Sequence, residues 1–141
     1  MSRCAAHTSM QLLPIRLPPG VDLRRALEEA AAKETTGSAF VVAGIGSLVE
    51  ARLRFAGEAA ESTVAGPLEI LSISGTLSTS GAHLHMAVAD AAGRVHGGHV
   101  GYGNAVRTTA EILLALLPDW SLSREPDAAT GFNELVVRRP G

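Results

Sequence analysis

The sequence is short of several residues whose abundance would point to a function. It has one cysteine, Cys4, among 141 residues, so neither an internal disulfide nor a thiolate metal cluster can form. Such sparing use of the thiol suits a reducing cytoplasm. Aromatic residues make up 4% of the chain, and Trp120 and Tyr102 are the only ones of their kinds. That speaks against a stacking platform for single-stranded nucleic acid. Charged residues are 18% of the chain and sum to −2 with histidine neutral, without the basic excess that carries charge-driven DNA binding. Low charge on a small domain also suits surface hidden in an oligomer. The longest clean apolar run, Ile112 to Leu117, falls far short of the ~20 residues a membrane helix needs, so no membrane partner is expected. Met1 to Ser9 contain Arg3 and His7 but no apolar stretch like that of a signal peptide. They read as a disordered tail ahead of a single domain over residues 10–138.

Hydrophobic residues are 46% of the chain. Scaling relations for this size allow roughly two-thirds of the unfolded surface to be buried, enough for a core without disulfides or a structural metal. Leu12, Leu13, Ile15 and Leu17 suggest a strand, and Pro14 within it points to an edge or a bulge. Asp22 is placed to cap a helix in which Leu23, Ala26, Leu27, Ala30 and Ala31 form one apolar stripe. Arg24, Arg25, Glu28, Glu29 and Lys33 fall off that stripe and read as a solvated face. Ala39 to Ala43 resembles a buried strand, broken by Gly44 and Gly46. Val49 to Phe55 alternates with period two, and Leu68 to Ile73 is β-rich. Ala82 to Ala89 and Arg94 to Val100 read as a hairpin joined by a type I turn at Asp90 to Gly93. Val106 to Leu117 has a helical composition and a strand-like alternation, and periodicity does not choose between them. Leu135 to Val137 suggests a last strand. Short turns between mostly β elements favour an α+β domain, an antiparallel sheet with one or two packed helices.

Four of the five histidines lie between positions 83 and 99. His83 and His85, two apart on a strand, project from one face. His96 and His99 sit on the returning arm, three apart, on opposite faces of a regular strand. A backbone bulge at Gly97 and Gly98 would change that, so the pattern alone leaves open which of them joins the pair. Two imidazoles on one strand and a third across a hairpin offer three nitrogen donors to zinc or another divalent transition metal, the protein ligand count of catalytic zinc with its open fourth position. The competing reading is a set of hydrogen-bonding histidines at an interface or in a pocket. Other motifs are weaker. The glycines around Gly97 make neither a dinucleotide fingerprint nor a P-loop, and Ser72 and Ser74 have no nucleophile elbow around them. No catalytic residue is assigned.

A family resemblance covers about residues 10 to 138. Gly66-Pro67-Leu68-Glu69-Ile70-Leu71-Ser72-Ile73-Ser74-Gly75 resembles the G-R-F-E-I-L-S-L-S-G stretch of the plants-and-prokaryotes-conserved (PPC) domain. His83-Leu84-His85, Ala89-Asp90, Gly93 and Gly97-Gly98-His99-Val100 resemble the H-L-H…A-D-x-x-G-x-x-x-G-G-H-L of its bacterial, stand-alone form. Thr109-Ala110-Glu111-Ile112 is similar to its T-A-E-V segment. The resemblance implies a homotrimer, a strand at Val106 to Leu117, and a regulatory module whose partner is DNA or a protein. It also implies that His83, His85 and His99 are the metal ligands, with Glu111 and His96 as further ligands or supporting acceptors. Arg138-Arg139-Pro140 lacks the glycine of the R-G-R-P core through which plant members hold DNA, and Pro67 and Leu68 stand where the plant motif has Arg and Phe. The alternative function is a small metal-dependent enzyme or a metal-gated binder of a small molecule.

Overall fold

The computed structural model describes residues 10–140, so the tail expected at 1–9, with Cys4, lies outside them. The described residues form β1 (Gln11–Leu17), α1 (Leu23–Ala32), β2 (Ala39–Arg54), β3 (Ser62–Ser78), β4 (Gly81–Ala89), β5 (Val95–Val100), β6 (Val106–Leu116), β7 (Ser121–Pro126) and β8 (Asn133–Arg138). Six strands build one antiparallel sheet in the order β1-β6-β2-β3-β4-β5, and β7 and β8 pair as a separate hairpin. The fold is α+β, with a single short helix among the described residues. The ambiguous segment after Val106 is a strand, because pairing with β1 on one side and β2 on the other outweighs its helical composition. Pro14 sits on β1 at the sheet's edge, where its missing N–H is tolerated.

The sheet curls until Val100 and His99 at the end of β5 pair with Leu53 and Arg54 at the end of β2. Strands β2 to β5 therefore close on themselves around Leu48, Leu53, Leu68, Leu84, Val88 and Val100, all fully buried. Each such side chain contributes about 1.5–3 kcal/mol relative to exposure. The expected break at Gly44 and Gly46 is absent, and the two flanking apolar runs belong to one sixteen-residue strand. A Cβ at Gly44 would lie 2.4 Å from Cγ2 of Ile73 and 2.6 Å from Cδ1 of Ile112. Glycine is needed there for close packing across a continuous strand, not to end one.

The Asp22 carboxylate caps α1 by accepting from the Arg24 N–H at 3.0 Å, and Leu23, Leu27 and Ala31 are buried as the stripe requires. Two of the off-stripe residues are half-buried and bonded to the sheet rather than freely solvated. Arg24 donates to the carbonyls of Val100 at 2.8 Å and Ala82 at 3.0 Å. Glu28 accepts from the Ala82 N–H at 3.0 Å and from the Tyr102 hydroxyl. Strand β7, which alternation does not reveal, docks through buried Leu122, whose N–H donates to Ser38 Oγ at 2.9 Å. The Arg124 N–H donates to Ser80 Oγ at 3.1 Å. These contacts lay the terminal hairpin over the β3–β4 end of the sheet.

Candidate metal centre

On β4 the apolar set Ala82, Leu84, Met86 and Val88 points into the core, so alternation turns His83 and His85 outward together. Across the hairpin His85 pairs directly with His99. The register runs without a shift through Gly98 opposite Met86, Gly97 opposite Ala87 and His96 opposite Val88. The expected bulge at Gly97 and Gly98 is therefore absent, and none is required, because regular pairing already sets His99 beside His85. What Gly98 provides is approach: a Cβ there would lie 2.7 Å from the carbonyl oxygen of Arg54. Its absence lets β5 close onto β2.

The structure brings His83, His85 and His99 together. Their candidate donor nitrogens all lie within 4.8 Å of one another, and the ring centroids are 5.0, 5.2 and 5.7 Å apart. A tetrahedral metal with bonds of about 2 Å holds its donors about 3.3 Å apart, so ring movements of about an ångström would gather them. Among the described residues Nδ1 of His99 is buried without a hydrogen-bond partner, a condition costing about 1–3 kcal/mol in an otherwise satisfied protein. Burial, reinforced by the positive charge of His83, Arg54 and Arg24, pushes His99 down to about 4. Burial and then Arg124 lower His83 as well. Both rings are thus held in the neutral form that metals bind. Donor set, orphaned nitrogen and neutral rings all fit a divalent transition metal, for which three imidazoles would leave a fourth position open.

The other two proposed contributors lie elsewhere. His96 projects from the opposite face and pairs with Asp90, Nε2 to Oδ2 at 3.2 Å. That contact, with the Arg94 N–H, holds the Asp90 carboxyl down at about 2. Glu111 sits on β6 opposite Arg16 and Ile45 and lines a groove with Pro14, Ile15 and Leu113, away from the imidazoles.

Beside the imidazoles opens a hollow of about 420 Å3, whose lining includes His83, His99, Arg54, Arg124, Phe132 and Glu134. Arg124, Phe132 and Glu134 come from the β7–β8 hairpin and carry no motif, so the linear order of the chain does not signal them. Arg24 is a second such residue. The two carbonyls it binds belong to Ala82 and Val100, the neighbours of His83 and His99, so it fixes the backbone at both ends of the site. Glu28 completes this clamp. Burial raises its carboxyl, but hydrogen bonds from the Ala82 N–H, Tyr102 and Arg24 outweigh burial and hold it below the usual carboxylate range.

A closed antiparallel sheet with one capping helix and an outward cluster of three imidazoles defines the class of the molecule. The chain matches the Plants and Prokaryotes Conserved (PCC) domain over residues 5–118 and belongs to that family. It is 44% identical over 130 residues to the bifunctional protein GlmU of Synechococcus sp. (strain JA-2-3B'a(2-13)), covering 92% of this chain. It spans about a fifth of the length of the curated relatives it matches, 21% in that case. A hypothetical protein of Salmonella enterica has a similar structure, with a TM-score of 0.89 and 35% identity over 93% of this chain and 95% of that one. A metal-containing protein of Archaeoglobus fulgidus gives 0.76 and 27% over 89% and 93%. A protein of Ralstonia eutropha described as a candidate for DNA binding gives 0.74 at 24% identity over 87% and 89%, which shows a shared fold.

Proposed function

We propose that the chain is a self-associating, non-enzymatic PCC module, a homotrimer, in which His83, His85 and His99 hold zinc or another divalent transition metal. Its partner beyond itself is DNA or a regulatory protein. The observation that carries the metal is the convergence of three imidazole nitrogens within 4.8 Å, with the buried Nδ1 of the His99 ring unpartnered among the described residues. The Archaeoglobus neighbour described as metal-containing supports it, as the DNA-binding description of the Ralstonia neighbour supports the first partner. A curated relative about five times as long that carries a matching stretch supports the reading as a portable module. Bound there, the metal would supply Lewis acidity and a labile position, while Arg24 and the β4–β5 pairing keep the three rings in place. The test is elemental analysis of protein purified without a nickel column. About one metal per chain is expected, falling at least tenfold in His83→Ala/His85→Ala. Full retention in that variant places the metal elsewhere.

A second reading, a metal-gated binder of a small molecule, is favoured by one feature, the hollow that opens directly beside His83 and His99.

A further inference from the structure

We infer that this hollow takes a small oxyanion, a carboxylate or phosphate, held between the open metal position and the guanidinium groups of Arg54 and Arg124. The inference rests on the metal reading and names the ligand class of the same site. The two arginines reach the hollow from different parts of the fold. Arg54 ends β2 and is backbone-paired with His99, and Arg124 lies on β7, brought in by the docking of Leu122. Arg124 lines the larger hollow and also a smaller one of about 110 Å3 that touches His83 and His85, so it borders all three imidazoles.

Among the described residues, neither guanidinium is committed to a tight ion pair. Arg124 donates to the neutral Thr76 hydroxyl at 3.0 Å, and the Glu134 carboxylate stands 3.9 Å from its other nitrogen. Arg54 has a long contact of 3.4 Å to the Glu58 carbonyl. Among the described residues the lining carries two guanidiniums against the single carboxylate of Glu134, and neutral imidazoles would leave the metal's two charges undiminished. A site so positive favours an anion that ligates the metal with one oxygen and accepts from an arginine with another, the planar fork being the group best matched to such oxygens. Exposed Phe132 on the rim offers an apolar wall to the carbon body of an organic acid.

The test uses the full chain loaded with Co2+, whose visible absorption reports a change of coordination. Benzoate and inorganic phosphate are titrated separately, with benzamide as the uncharged control. Saturable change with at least one anion, none with benzamide, and at least tenfold weaker binding in Arg54→Gln and in Arg124→Gln supports the site. Tighter binding of benzoate assigns an organic acid, and tighter binding of phosphate assigns phosphate. Arg54 is exposed, so its variant guards against misfolding of the Arg124 one. If cobalt binds but neither anion alters its spectrum, or the arginine variants bind the anions as wild type does, the inference is overturned and the metal reading stands. If wild type binds no cobalt, the metal reading falls and this inference with it.

Discussion

His99 can lend a nitrogen to a metal only while neutral, and its surroundings favour that state at a cost that appears when the pH falls. Its value of about 4 in the folded chain lies below the ordinary 6.5, chiefly through burial and then through the nearby charges of His83, Arg54 and Arg24. Between those two values the unfolded chain binds the proton and the folded chain does not. Stability is therefore fully present above about 6.5 and is lost as the pH falls toward 4. Metal-free protein should melt progressively lower over that interval, and His99→Gln, which has no ring to protonate, should flatten the profile. An unchanged profile in the variant would assign the acid sensitivity to other groups. His85 tests the site from its exposed side. Its ring contributes to no core, so His85→Ala should keep the wild-type melting temperature while weakening Zn2+ binding at least tenfold by competition with a chromophoric chelator.

The hairpin of β4 and β5 brings the residues together, and Gly98 is the position on which its closure depends. A methyl group there would meet the Arg54 carbonyl oxygen at 2.7 Å, whereas at Gly97 it would meet the Met86 carbonyl oxygen at 3.4 Å, an ordinary contact. Gly98→Ala should therefore cost about 1–3 kcal/mol, the range for overpacking, while Gly97→Ala stays well below that; urea unfolding of both variants checks the order. Equal losses would show that β5 does not need its close approach to β2. Much of this hairpin is legible in the sequence. Parity puts His83 and His85 on one face, Asp90 and Gly93 make the turn, and the resemblance to the bacterial H-L-H…G-G-H pattern, not parity, selects His99. What is not legible depends on partners distant in the chain. Gly44 looks like a strand break because glycine gives no sign of whether it ends an element or admits the side chains of Ile73 and Ile112. Arg24 and Glu28 look solvated because helical period identifies the apolar stripe but not what meets its margins. Strand β7 buries only Leu122, too little for an alternating pattern, so Arg124 and the wall it forms beside the imidazoles emerge only from the folded chain.

For the molecule as a whole, the question is what covers its apolar exterior. Phe40, Val42, Ile45, Val49 and Leu71 are 41–55% exposed on β2 and β3, and the groove between β1, β6 and β2 adds Ile15 and Leu113. Apolar surface gathered in this way marks an interaction site more often than a solvated face. The proposed trimer would cover it, and light scattering at micromolar concentration should give about three times the 14.6 kDa chain mass. DNA faces a harder requirement. With a net charge of −2, Arg138 paired with Glu125 and Arg139 stacked over Trp120 at 4.6 Å, the basic tail is already engaged within the chain. Duplex binding must then be strongest at low salt, and no mobility shift there would leave a regulatory protein as the partner. Val42→Asp separates assembly from metal binding. Val42 lies on the outward face of β2, so a carboxylate there is solvated in the monomer and buried in a trimer, where an unpaired charge is costly. The variant should fall to the monomer mass and still bind Zn2+ as wild type does, because His83, His85 and His99 all come from one chain. If mass and metal binding were lost together, the coordination sphere would have to be completed by a neighbouring copy.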